Sequence, residues 1–247
     1  MSLMYPQRPA RYVWFGSGRR RGYGMARAGM ALAGVALIGV GVLLASARLS
    51  PSSELYAAEP DERVDSVELA TRSGDVRVRV GSGDSVRVEQ RVSYWWGAPG
   101  PGYEVRDGTL LLEDCGRFCG ADYDVVVPDG VTVTGAVRSG DVELTGVAGI
   151  ELRARSGAVT GRDVTGPVRV TSRSGDIDLD LAEPADVAAE ARSGDVTLSV
   201  PDARYRVDGS SRSGERRIEI PTEPDAEHDL TLDTRSGTVT VRPATAP

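Results

Sequence analysis

Seven segments of the chain share one spacing of apolar and polar positions, centred on the tripeptide Arg-Ser-Gly, whose copies start at Arg72, Arg138, Arg155, Arg173, Arg192, Arg212 and Arg235. Five residues before these arginines stand Val67, Val133, Ile150, Val168, Val187, Val207 and Leu230. Four residues after them stand Val76, Val142, Val159, Ile177, Val196, Arg216 and Val239. Two further on come Val78, Leu144, Gly161, Leu179, Leu198, Ile218 and Val241. Apolar residues at every second position on both sides of a Gly-containing corner predict a half-buried strand entering a turn and another leaving it. After one gap of 66 residues the repeat steps are 17, 18, 19, 20 and 23. A near-constant step of this size is the signature of a solenoid, in which each unit buries its apolar face against its neighbours.

The gap predicts an insertion of short strands. Apolar positions alternate at Val86, Val88 and Val92, then Val105, Leu110 and Leu112, then Val125 and Val127. Pro- and Gly-rich turns punctuate them, among them Asp107-Gly108, a hairpin signal. Tyr94, Trp95 and Trp96 end one of these runs beside a Pro-Gly loop. They read as an aromatic plug for the open end of the solenoid, with an exposed binding platform as the alternative. From Val131 onward the coils are expected to follow one another without interruption, joined by loops rich in Pro and Asp that lengthen toward the C-terminus.

The N-terminal region is of another kind. Residues 1–27 carry six arginines and no acid, and residues 28–47 carry no charge at all. Twenty apolar residues make ~30 Å of helix, enough to cross a bilayer, and arginine on the N-terminal flank orients that end to the cytoplasm. Ala45-Ser46-Ala47 also fits a signal-peptidase site, so cleavage after Ala47 stays open, although the length of the run favours a retained anchor. The predicted organisation is a cytoplasmic Arg-rich tail (1–27), a transmembrane helix (28–47), a linker (48–62), an extracytoplasmic solenoid domain (63–242) and a disordered tail (243–247). The fold class is therefore all-β: a single-stranded, β-helix-like solenoid with a meander insertion, preceded by one transmembrane α-helix.

Composition narrows the chemistry. All 29 basic residues are arginine, and beyond residue 27 there are 23 of them against 36 acids, a balance of −13. So acidic a body is unsuited to nucleic acid. Cys115 and Cys119 are the only cysteines, and outside the cytoplasm a close pair is most simply a disulfide. His228 is the sole histidine, which leaves zinc short of ligands and excludes His-based triads. No metal, cofactor or catalytic residue is assigned.

Stacking would align the seven corner arginines as a ladder, a candidate anion site for cell-wall polymer or lipid head groups. Asp75, Asp141, Asp176, Asp195 and Glu215 stand three positions after five of them, and Ala158 and Thr238 take that place in the other two units. Acid beside base predicts a self-neutralising edge of weak ion pairs, with only Arg155 and Arg235 free. The plainer reading gives glycine the left-handed corner, serine the cap and the charges solubility.

The repeated Ser-Gly-Asp-Val corners at Ser73–Val76, Ser139–Val142 and Ser193–Val196, together with the Cys pair and residues 122–130, resemble the adhesin-like bacterial family known as domain of unknown function 4097. The likeness covers about residues 64–242. It implies an envelope protein without established catalytic residues. The expected protein is a non-enzymatic, single-pass membrane protein of the cell envelope whose solenoid binds, scaffolds or senses, with cell-wall polymer or another envelope protein as partner and an oligomeric state that the sequence leaves open. A carbohydrate-active β-helix enzyme and a self-assembling surface protein are the alternatives.

Overall fold

A computed structural model describes residues 51–244. The predicted tail 1–27 and transmembrane segment 28–47 lie outside the described residues. Within them the chain forms strands and no helix long and apolar enough to cross a membrane.

The chain begins with β1 (Ser52–Ala58), then β2 (Ser66–Thr71) and β3 (Val76–Val80), which flank the first Arg-Ser-Gly corner. The insertion supplies β4 (Arg87–Tyr94), β5 (Tyr103–Arg106), β6 (Thr109–Glu113) and β7 (Cys119–Val127). Four coils follow as β8 (Thr132–Ser139) with β9 (Val142–Thr145), β10 (Gly149–Ser156) with β11 (Val159–Val164), β12 (Val168–Ser174) with β13 (Ile177–Leu181), and β14 (Val187–Ser193) with β15 (Val196–Val200). The last two are β16 (Tyr205–Ser213) with β17 (Arg216–Ile218), and β18 (His228–Ser236) with β19 (Val239–Pro243).

Each coil gives one strand to each of two sheets. One sheet has the order β1-β4-β7-β3-β9-β11-β13-β15-β19-β17 and the other β16-β18-β14-β12-β10-β8-β2-β6-β5. Coil-to-coil pairing is parallel and in register, so Ile150, Val168, Val187 and Leu230 stack in one column. The alternating apolar residues point between the sheets, where Val67, Val133, Leu144, Leu179 and Val196 are completely buried. A β-solenoid-like core of stacked aliphatic columns follows from the sequence period, because buried strands of adjacent coils share one register.

Three expectations are corrected. First, residues 52–58 are not linker: β1 pairs antiparallel with β4 along its length, from Ser52 opposite Tyr94 to Ala58 opposite Val88. Only Glu54, Tyr56 and Ala58 turn partly inward, too few apolar positions to betray a strand, and Tyr56 packs against the core. Second, the coils do not follow one another to the end. The last coil in sequence, β18 and β19, pairs with β14 and β15 on one side and with β16 and β17 on the other, so the sixth unit is outermost. Arg216, which breaks the apolar column, is accommodated there because an end strand has a neighbour on one side only. Third, Pro243 closes β19 opposite Val200, and the Ala244 amide donates to the Val200 carbonyl at 2.7 Å, so the ordered chain runs past residue 242.

At the opposite end the insertion caps the stack. β7 adds to β3 in parallel, then β4 and β1 continue the sheet antiparallel. Beneath them Tyr123 and Gln90 are buried: the Gln90 amide donates to the Tyr123 hydroxyl at 2.9 Å, which itself lies 2.6 Å from the Glu113 carbonyl. The Gly102 amide in turn donates to Gln90 Oε1 at 2.9 Å. Gln90 and Tyr123 fill this end of the core and, of the Tyr94-Trp95-Trp96 cluster, only Tyr94 packs against it. Trp95 and Trp96 are exposed.

Candidate functional site

The corner geometry explains each member of Arg-Ser-Gly separately. The glycines stack in the spatial order 74, 140, 157, 175, 194, 237, 214, each with positive φ. A Cβ on Gly157 would stand 2.0 Å from the Gly140 carbonyl oxygen, and one on Gly175 would stand 1.9 Å from that of Gly157. Glycine is therefore required twice, by the left-handed backbone and by the approach of the neighbouring coil. The serines act through the main chain: the Ser156, Ser174 and Ser193 carbonyls accept from the amides of Gly140, Gly157 and Gly175 in the adjacent coils.

The acids three places after the arginines do something other than pair with them. Asp75 Oδ1 accepts from the Asp141 amide at 2.9 Å, Asp141 Oδ1 from the Ala158 amide at 2.8 Å, Asp176 Oδ1 from the Asp195 amide at 2.8 Å, and Asp195 Oδ1 from the Thr238 amide at 2.7 Å. Asp122, from the insertion, starts the same series by accepting from the Asp75 amide at 3.0 Å. These carboxylates cap the main-chain N–H of the next coil and lock its register. The expected edge of Arg–Asp ion pairs is not formed. Among the described residues Arg72 is the single corner arginine in an ion pair, 3.4 Å from Asp114. Arg138, Arg155, Arg173, Arg192, Arg212 and Arg235 have no ionic partner there, so Arg155 and Arg235 are not special.

Arg72, Arg138, Arg155, Arg173 and Arg192 stand on the outer side of the nine-stranded sheet, at one edge of a groove of about 580 Å³, and Arg212 and Arg235 border a separate, smaller one. Arg72, Arg138, Arg153, Arg155, Arg173 and Arg192 line the larger groove, against two acids, Asp114 and Glu190. Its floor is made of small side chains, Ala70, Ala136, Ala154 and Thr171. Arg153 enters through register, since it lies between Ala136 and Thr171 in the stack. It carries no tripeptide signal, and only the alternation of β10, which turns Arg153 outward with Arg155, could have revealed it.

The contrast with the rest of the surface is chemical. On the ten-stranded sheet Arg77 pairs with Glu143 at 3.3 Å, Arg79 with Asp124 at 2.5 Å and Arg162 with Asp178 at 2.7 Å. The Asp178 carboxylate raises the pKa of Arg162 further above its already basic value. A second groove of about 600 Å³, bordered by Glu151, Arg169, Asp186 and Asp229, carries more acid than base. Uncompensated positive charge is thus concentrated along the corner.

Near Asp114, Cys115 and Cys119 form a disulfide with an S–S distance of 2.10 Å. It closes a small loop bearing Phe118, whose ring meets Trp96 edge-on at a centroid distance of 5.8 Å. His228 opens β18, half-buried, 3.8 Å from Asp186 and beside the ring of Tyr205.

With coils, corner and insertion in place, residues 124–242 match the family model described as Toastrack DUF4097. The chain resembles the Toastrack family. The match begins inside β7 and ends in β19, narrower than the 64–242 expected from the corner motifs. Three solved structures share the likeness. A candidate cell adhesion protein from Clostridium sporogenes has 14% identity, covering 78% of this chain and 100% of its own, with a TM-score of 0.49. A candidate adhesin from Bacteroides fragilis has 15% identity, covering 78% of this chain and 99% of its own, with a TM-score of 0.36. A candidate adhesin from Parabacteroides merdae has 9% identity, 78% and 97% coverage, and a TM-score of 0.32. Among curated proteins none matches. Residues 124–242 of this all-β domain thus resemble the Toastrack family.

Proposed function

We propose that the protein is a non-enzymatic, single-pass membrane protein whose solenoid stands outside the cell and binds a linear anionic polymer of the envelope along the arginine groove. One observation carries this reading: Arg138, Arg153, Arg155, Arg173 and Arg192 line one groove without carboxylate partners, while Arg77, Arg79, Arg87 and Arg162 of the opposite sheet are paired. Stacked cations ~4.8 Å apart repel one another by on the order of 1 kcal/mol per neighbouring pair even in water. That cost is offset when phosphates or carboxylates of a polymer lie along the row, because guanidinium groups bind such anions through paired hydrogen bonds.

The row is long enough for such a ligand. Six coil-to-coil steps separate Arg72 from Arg212, a span of roughly 29 Å at ~4.8 Å per step. The two acids of the groove, Asp114 and Glu190, lie five coils apart, roughly 24 Å at the same spacing. Paired carboxylates that cleave glycosidic bonds stand ~5–10 Å apart, so the groove offers charge for binding in preference to a hydrolytic pair. The last coil in sequence, β18 and β19, is covered by β16 and β17, so any pairing between copies would have to use the outermost strands β16 and β17 instead. The N-terminal arginines and residues 28–47 supply the anchor in this reading.

Replacing Arg155, Arg173 and Arg192 together with serine should lower retention of the full-length protein on isolated cell-wall polymer at least tenfold, and wild-type retention should fall steeply with added salt. Unchanged retention in the triple variant would sink the polymer-binding assignment.

A further inference from the structure

The large apolar side chains that remain exposed among the described residues gather at one end of the molecule. They are Leu55 on β1, Trp95 and Trp96 just after β4, and Phe118 in the disulfide loop, with Trp96 78% and Phe118 69% exposed. Register brings their supports together, because Ser52, Tyr94 and Cys119 are consecutive partners across β1, β4 and β7. The tip is held in shape. The Cys115–Cys119 disulfide closes its loop, the Asp114 carboxylate accepts from the Gly116 amide at 2.8 Å, and Phe118 is fixed at a φ of 63°, left-handed for a residue with a side chain. Exposed Arg117 stands beside Phe118, and exposed Arg91 lies opposite Leu55. Two indoles, a phenyl ring and flanking arginines are the side chains that partition into the headgroup layer of a bilayer.

The course of the chain selects the partner. With residues 52–58 folded as β1, the tether between the apolar segment 28–47 and the domain shrinks to residues 48–51. From Ala47 to Ser52 it can span at most ~17 Å. Ser52 stands at the same end of β1 as Trp95, Trp96 and Phe118, and β1 runs away from them.

We propose that the Trp95, Trp96 and Phe118 tip inserts into the interfacial layer of the membrane, setting the domain directly on the lipid surface; this rests on the anchored reading of residues 28–47. The arginine row starts next to the tip, at the Arg72–Asp114 pair, and continues coil by coil away from it. A docked tip would therefore point the groove outward from the membrane.

The test uses the full chain carrying Trp14→Phe, so that Trp95 and Trp96 are the only indoles, reconstituted with vesicles containing phospholipid brominated along the acyl chain. Flotation of the vesicles reads the anchor, and quenching reads the tip. Docking predicts that the protein floats and that its emission falls at least twofold relative to unbrominated vesicles. In a variant that also carries Trp96→Ser and Phe118→Ser, both at exposed positions, flotation should persist while quenching of Trp95 is mostly lost. Flotation without quenching, or quenching unchanged in that variant, overturns the docked tip and leaves the anchor standing. Absence of both flotation and quenching overturns the two together.

Discussion

Gly157 and Gly83 both have positive φ, 116° and 98°, yet they answer to different constraints. A methyl group on Gly83 would meet open space, whereas one on Gly157 would sit 2.0 Å from the Gly140 carbonyl oxygen. Gly83→Ala should cost ~1 kcal/mol, the penalty of the left-handed backbone. Gly157→Ala must also push two coils apart and should cost more than ~3 kcal/mol, a difference that thermal denaturation followed by circular dichroism will resolve. The acids offer a second comparison at this scale. Asp141→Ala removes the acceptor for the Ala158 amide and should destabilise by ~1 kcal/mol, while Asp141→Asn keeps an acceptor oxygen and should stay close to wild type in denaturant titration. The Ser-Gly-Asp corner was visible in sequence, but the work of its aspartate was not. Spacing placed an acid three residues from each arginine along the chain, whereas the amide that uses the acid belongs to a coil 17 to 66 residues away.

Single strands and their caps set the pH limits of the fold. Tyr205, at the start of β16, and Tyr123, in the middle of β7, are both fully buried. Burial, helped by the negative charge of Asp202, pushes the Tyr205 hydroxyl up to about 12. Burial, with Glu113 and Asp114 nearby, raises Tyr123 as well. In the unfolded chain both ionise near pH 10. Their neutral forms therefore favour the folded state fully below pH 10, and this contribution is lost as pH rises from 10 to about 12 for Tyr205. Tyr205→Phe should flatten that alkaline limb in denaturation measured across the interval, and an unchanged slope would rule Tyr205 out as its source. The insertion was only partly legible at this scale. Its apolar alternation announced β4, β6 and β7, but β1 presents Leu55 to solvent and half-buries Glu54 and Tyr56, so its pairing with β4 left little trace in hydropathy.

For the molecule as a whole, the spatial order of coils governs which losses are tolerated. Removal of residues 227–247 deletes β18 and β19 and strands β16 and β17, which have no other neighbours in their sheets. Excision of residues 204–226, joining residue 203 to residue 227, removes only the outermost coil. In a solenoid whose stability is a sum over neighbouring coils, the first deletion should lower the melting temperature markedly more than the second. If sequence order governed, the two losses would be reversed in rank. The sequence by itself determined the coil: its two strands, its glycine corner, the aliphatic columns between the sheets and the disulfide pair. These rest on local spacing and side-chain type, which act within one repeat. Only the tertiary structure decided which coil lies beside which, how the insertion caps the stack, that the aspartates serve amides rather than arginines, and that Arg153 joins the row. Neighbouring coils present nearly identical edges, so the choice among them depends on contacts between residues far apart in the chain, and the pattern within any one repeat does not encode it.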